Sequence, residues 1–256
     1  MQPNNYLIRV SDYASKLVIL ILLLLFSDVQ SQNIKLTYKN KKLYKKEKGF
    51  KTHDYKPVFV DFKYPYFSGD NAKFLNAEIS KYLFEKSGSF ERYCSEFFSD
   101  YRESGAETYY SWEVEKTVTV EYLSKNMVSL HRFHVYKSGH NSFLATSSPL
   151  TYDLKSKKRL TLNSVFKGNY KPELTKLVWK ELKEQSKSDG LEGIFFEEAV
   201  DNYLSETYYF TATGIVFSFD WGEIAPRISP GFEAEVPYKL IKKYLKSGTP
   251  VWEIAK

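Results

Sequence analysis

Between Tyr110 and Tyr122 the chain alternates with a period of two. Tyr110, Trp112, Val114, Val118, Val120 and Tyr122 take one parity, while Ser111, Glu113, Glu115, Thr117, Thr119 and Glu121 take the other. Successive side chains of a strand point to opposite faces, so the pattern predicts a long strand with one buried face and one exposed acidic–threonine face. The turn Ser124-Lys125-Asn126 leads into a partner strand from Met127 to Tyr136. Upstream, Val58, Val60, Phe62 and Tyr64 alternate until Pro65 and Ser68-Gly69-Asp70-Asn71 stop the run. Downstream, Phe143 to Leu154 reads as a strand, Lys155 to Lys158 as a turn and Leu160 to Leu162 as its return. Tyr208–Thr213 and Ile215–Phe219 flank Gly214 as a hairpin, and Phe232 to Val236 precedes Pro237.

Between these strands the period changes to that of a helix. Phe90, Tyr93, Cys94, Phe97, Phe98 and Tyr101 fall three and four residues apart, and Phe74, Leu75, Ile79, Tyr82 and Leu83 do the same. Similar stripes occur at Leu174, Leu177, Val178 and Leu182, and at Phe195, Phe196, Ala199, Val200, Tyr203 and Leu204, with a closing helix around Leu240 to Leu245. Strands and helices in separate batches, joined by hairpins, predict an α+β fold with antiparallel sheets and packed helices. No internal period of tens of residues is present, which argues against a solenoid. Twenty-one Tyr and 19 Phe against 12 Gly and 9 Pro fit strands packed with aromatics. With 43% hydrophobic residues, the chain has enough apolar surface to exclude disorder.

The single cysteine excludes an intramolecular disulfide framework and a Cys-based zinc cluster. Its position on an apolar helical stripe predicts burial as a small hydrophobe.

Leu17 to Phe26 reads LVILILLLLF, ten apolar residues without a break. A bilayer-spanning helix needs about 17–25 such residues, so the run fits the core of a secretory signal flanked by Arg9 and Lys16. Val29 and Ser31 have the small-residue spacing of a cleavage site, which predicts cleavage after Ser31; an uncleaved membrane anchor is the competing reading. The only cysteine is Cys94, so a lipoprotein signal is excluded here. Residues 35–56 hold nine lysines against Glu47 and Asp54. They read as a solvated linker over 32–56, or as a segment attracted to an anionic envelope surface. A nucleic-acid partner is not expected, because stacking aromatics are not interleaved with this charge on a periodic element.

Several stretches then become recognisable. VSLHRFHVYKSGHNSF after Met127, LTYDLKSKKRLTLNSVF from Leu150, and FEEAVDNYLSETYYFTATGIVFSFDWGEIAPRISPGFEAEVPYKLI from Phe196 occur in that order. This order resembles the extracytoplasmic region shared by the peptidoglycan deacetylase PdaC and the anti-sigma factor RsiV. YPYFSGDNAKFLNAEISKYL from Tyr64 is similar to the smaller domain that precedes it. The loop Ser138-Gly139-His140-Asn141 departs from the family pattern of two glycines before the histidine. The resemblance implies subdomains at 57–140 and 141–247, outside the cytoplasm and without catalysis of their own. In the deacetylase the chemistry belongs to a separate downstream domain, and in the anti-sigma factor the region is a sensor that binds lysozyme.

Sequence motifs for an enzyme are few. His131 and His134 are three residues apart on a strand and point to opposite faces, so they cannot chelate one metal, and His53 and His140 add no ligand pattern. No Walker, dinucleotide-binding, zincin or nucleophile-elbow signature occurs, and no cofactor is implied. Asp220 and Glu223 could form a hydrolytic carboxylate pair. The loop Asp220-Trp221-Gly222-Glu223-Ile224-Ala225-Pro226-Arg227 is the candidate binding segment. It brings an indole, a guanidinium and carboxylates together, as a carbohydrate or protein hot spot does. The alternative is that Trp221 and Ile224 plug the sheet while Asp220 or Glu223 caps backbone amides. The expected site is therefore His140, Asp220, Trp221, Glu223 and Arg227, in an exported non-catalytic module that binds a wall glycan or a lysozyme-like muralytic protein. A wall-active hydrolase or esterase is the alternative.

Overall fold

The computed structural model describes residues 36–47, 58–104, 111–138, 143–226 and 231–256. The apolar run at 17–26, the expected cleavage site after Ser31, His53, Tyr110, His140 and Arg227 lie outside them.

The large sheet contains β1 (Thr37–Glu47), β2 (Val58–Ser68), β3 (Trp112–Leu123), β4 (Met127–Ser138), β5 (Phe143–Ser147), β6 (Leu150–Asp153) and β7 (Lys158–Arg159). Its order is β1-β2-β3-β4-β6-β7, with β5 also pairing β4. Every pair is antiparallel except β2 with β3. A parallel pair requires a crossover, which here carries α1 (Ala72–Phe84) and α2 (Phe90–Glu103). After α3 (Leu162–Val165) and α4 (Lys171–Ser188) comes a second, antiparallel sheet of β8 (Tyr208–Phe210), β9 (Gly214–Phe219) and β10 (Phe232–Pro237). Short helices α5 (Tyr238–Ile241) and α6 (Pro250–Ile254) follow. The fold is α+β with antiparallel sheets and packed helices.

Two cores result from the two parities of the central strands. Val128 and Leu130 of β4 join Val60, Phe62, Leu75, Leu83 and Cys94 beneath α1 and α2. Met127 belongs to the other core, with Leu174, Trp179, Phe210 and Phe217 around α4 and the small sheet. The two sheets are joined by buried hydroxyls. Ser129 Oγ donates to the Phe210 carbonyl, Phe210 N donates to Thr151 Oγ1 at 3.1 Å, and the two hydroxyls bond at 2.7 Å. Every polar group in this circuit has a partner, which avoids the cost of burying it unpaired and fixes one registration of the sheets.

The structure corrects several readings. Residues 37–47 of the expected linker are strand β1, because the open edge of β2 needs a hydrogen-bonding partner whatever the side chains are. Leu43 sits beside Phe62 and packs on the core, while Lys45 reaches Glu91 at 2.7 Å. The boundary expected near residue 140 falls inside the large sheet, since β5 and β6 both pair with β4. The strand expected at 143–154 breaks at Ser148-Pro149 into those two. The return strand expected at Leu160 to Leu162 lies instead at Lys158–Arg159, the short β7, and Thr161 then caps α3.

A register shift between Val120 and Tyr122 turns Tyr122 away from Val118 and onto the small-sheet core. A bulge inserts one residue and so inverts the parity beyond it. Glu113 is buried rather than exposed, held by Lys137 at 2.7 Å. The stripe from Phe195 to Leu204 forms isolated turns instead of a helix, with Asp201 at φ 61°. Its aromatics are satisfied by tertiary packing, Phe195 lying edge-on to Trp179 and to Phe232. Among the described residues, no helix is long and apolar enough to cross a membrane.

Candidate binding site at the junction of the sheets

Where β9 ends, the turn Asp220–Pro226 is held by its own carboxylates. Asp220 Oδ1 accepts from Ser147 N at 3.0 Å, fastening the turn to β5. Glu223 Oε2 accepts from Asp220 N at 2.6 Å, and Glu223 Oε1 accepts from the Tyr203 hydroxyl at 2.6 Å. Gly222 takes φ 82°, a left-handed conformation that suits glycine. Burial pushes the Asp220 carboxyl above its ordinary range, against the Ser147 N–H that pulls it down. Both sequence readings of the loop are thus partly realised. Ile224 and Ala225 plug the core, whereas Trp221 is 49% exposed.

Trp221 overhangs a hollow of about 180 Å³ between β4, β5 and the ends of β9 and β10, lined among others by His131, Ser147, Ser218, Asp220 and Glu233. The His131 ring stacks on Tyr209 with centroids 6.0 Å apart, and its Nε2 is 2.6 Å from Ser147 Oγ. Ser218 Oγ donates to Glu233 Oε1 at 2.6 Å, and the Tyr209 hydroxyl reaches Glu233 Oε2 at 3.4 Å. Burial, reinforced by Glu233, raises the Tyr209 pKa and keeps that phenol protonated. Phe133 is 40% exposed at the rim. A Cβ on Gly231 would lie 3.0 Å from the Phe219 carbonyl and 3.5 Å from the Trp221 ring, so glycine lets the indole approach the backbone.

Of the expected site, Asp220, Trp221 and Glu223 come together, while His140 and Arg227 lie outside the described residues. Sequence reasoning missed His131, Phe133, Ser147 and Glu233. Their convergence depends on the pairing of β4 with β5 and on the packing of the two sheets, neither of which leaves a local motif. His134 faces the opposite side, paired across the strands with Lys116, and burial takes its pKa down to about 4. Among the described residues, no three His, Cys, Asp or Glu side chains group as a metal site would require. The hollow offers an exposed aromatic face beside fixed donors and acceptors, and at about 180 Å³ it is smaller than most small-molecule pockets.

The fold has relatives of known structure. A member of the DUF3298 family from Bacteroides fragilis NCTC 9343 superposes with a TM-score of 0.71 at 21% identity, covering 88% of this chain and 99% of that one. The chain has the fold of DUF3298 proteins. A DUF3298 family protein from Pseudomonas aeruginosa PAO1 agrees, with a TM-score of 0.62 at 14% identity over 82% of this chain and 95% of its own. Residues 163–239 match the family model described as protein of unknown function (DUF3298). That segment contains α4, the small sheet and the Trp221 turn. No curated protein matches the sequence.

Proposed function

We propose that the chain is an exported, non-catalytic binding or sensing module of the cell envelope, its ligand a wall glycan or a muralytic protein such as lysozyme. The observation that carries this reading is the half-exposed Trp221, set beside Phe133 above a polar floor whose groups are already hydrogen-bonded in place. A large aromatic anchor with few rotatable bonds loses little entropy on binding, which suits a hot spot. Asp220 and Glu223 are engaged by backbone amides, which favours holding a ligand over delivering a proton to one. The resemblance to the PdaC and RsiV extracytoplasmic region supports the envelope setting, as does the signal-like run at Leu17–Phe26. Lysines at 35–56 would add attraction to an anionic surface of that envelope.

The second reading, a wall-active hydrolase or esterase, is favoured by one contact. A serine hydroxyl 2.6 Å from an imidazole nitrogen is the first element of an activated nucleophile. Titrating the protein with soluble peptidoglycan fragments and with lysozyme tests the first reading. Saturable binding, weakened roughly thirtyfold in Trp221→Ala, is expected. Wall-polymer or ester turnover abolished by Ser147→Ala would replace it with the second.

A further inference from the structure

A cleft of about 790 Å³ opens on a different part of the molecule, between β7 and α3, the start of α4, and the turn at 201–206. This volume lies within the roughly 300–1,000 Å³ of small-molecule sites. Its chemistry is unbalanced toward donors. The Tyr208 hydroxyl accepts from Leu162 N at 2.9 Å, which leaves its own proton without an acceptor among the described residues, although Tyr208 is only 8% exposed. Ser205, 1% exposed, likewise accepts from Thr207 N at 3.0 Å and keeps a proton to give. Both hydroxyls line the cleft with a proton left to donate, so a ligand rich in acceptors matches them.

Two cations line the same cleft from separate elements, Arg159 at the end of β7 and Lys171 at the start of α4. Neither forms an ion pair among the described residues. Asp201 at the margin is neutralised by Lys183 at 2.7 Å. The remaining carboxylate, Glu206, sits with Asn202 on the 201–206 wall, where the two can accept from and donate to hydroxyl groups. The exposed ring of Tyr203 lies on that wall as well.

We propose that this cleft is a second ligand site, taking a phosphorylated sugar: the phosphate would meet Arg159, Lys171 and the Tyr208 and Ser205 protons, and the sugar hydroxyls would meet Asn202 and Glu206. Guanidinium and hydroxyl donors together suit a phosphate better than a neutral group. No residue lines both this cleft and the Trp221 hollow, although Tyr203 on the cleft wall donates to Glu223 of the Trp221 turn.

Calorimetric titration of the full chain with glucose 6-phosphate, glucose and inorganic phosphate tests it. Saturable binding of glucose 6-phosphate is expected, at least about tenfold tighter than glucose or phosphate alone. The doubly substituted Arg159→Ala, Lys171→Ala protein should lose that binding with its melting temperature unchanged, because both side chains are exposed. Trp221→Ala should leave it intact. No binding of glucose 6-phosphate at millimolar concentrations, or equal binding by the double variant, would overturn the site. Inorganic phosphate binding as tightly as the sugar phosphate would overturn the sugar assignment.

Discussion

Lys116 is wholly buried, with its ammonium 2.5 Å from the half-exposed carboxylate of Glu85. The same nitrogen donates to the carbonyls of Tyr82 at 3.3 Å and Leu83 at 3.1 Å, and lies 4.7 Å above the Tyr93 ring. A lysine on the apolar parity of β3 therefore satisfies two of the last carbonyls of α1. Burial lowers its pKa while Glu85 draws it back up.

Replacing Lys116 by Met keeps the stem and removes the donor. Two carbonyls then lose their partner inside the core, at a cost of about 1–3 kcal/mol. The denaturation midpoint in urea should fall with an unchanged slope. An unaltered midpoint would show that water takes over the carbonyls.

His134 lies across the strands from Lys116, and its Nε2 is buried without a partner among the described residues. Burial first, and then the Lys116 charge, hold its folded pKa at about 4 against an ordinary 6.5. Between those values the unfolded chain binds a proton that the folded chain refuses, so this group's stabilising effect is complete above pH 6.5 and is lost as pH falls toward 4. His134→Leu should remove that part of the acid sensitivity and be neutral or stabilising at pH 7. Parallel urea titrations of both proteins across this window measure it.

Cys94 is fully buried on the stripe that predicted it, and burial raises its thiol pKa to about 11. Thiolate is the reactive form, so native protein should label slowly and unfolded protein fast. Cys94→Ser should cost about 1–3 kcal/mol, by placing a hydroxyl in an apolar layer.

The turn at 220–226 offers a paired comparison. Trp221→Ala should leave the melting temperature nearly unchanged while weakening ligand binding by about 2 kcal/mol, roughly thirtyfold. Ile224→Ala, three residues on and fully buried, should instead cost about 2–5 kcal/mol of stability. Melting curves and titrations on the two variants separate anchor from plug.

Strong periodicity was legible wherever it coincided with burial. The stripe from Phe90 to Tyr101 is α2, and the alternation around Val114 and Val118 is β3. β1 was not legible, because an edge strand needs only backbone partners and Leu43 is a slight apolar signal among lysines. Phe195 to Leu204 misled for the opposite reason, its helical spacing being used by aromatics that pack on Trp179 and Phe232 without a helix. Tyr122 changed faces at a bulge, which no alternation rule foresees. At the site, Trp221 and its carboxylates stand within one local loop and could be found. His131 and Ser147 meet only through strand pairing, 16 residues apart in the chain.

β1 closes one side of the large sheet, and among the described residues its outer edge has no strand beside it. Such an edge is a template for recruiting further chains. Tyr38 and Tyr44 are exposed on it, which would make recruitment easier, but Lys39, Lys41, Lys42, Lys45 and Lys46 stand among them. Two copies meeting edge to edge would set like charges beside one another, although Lys42 and Lys45 are already paired with Asp61 and Glu91. Lysines on an exposed edge strand disfavour its pairing with another copy.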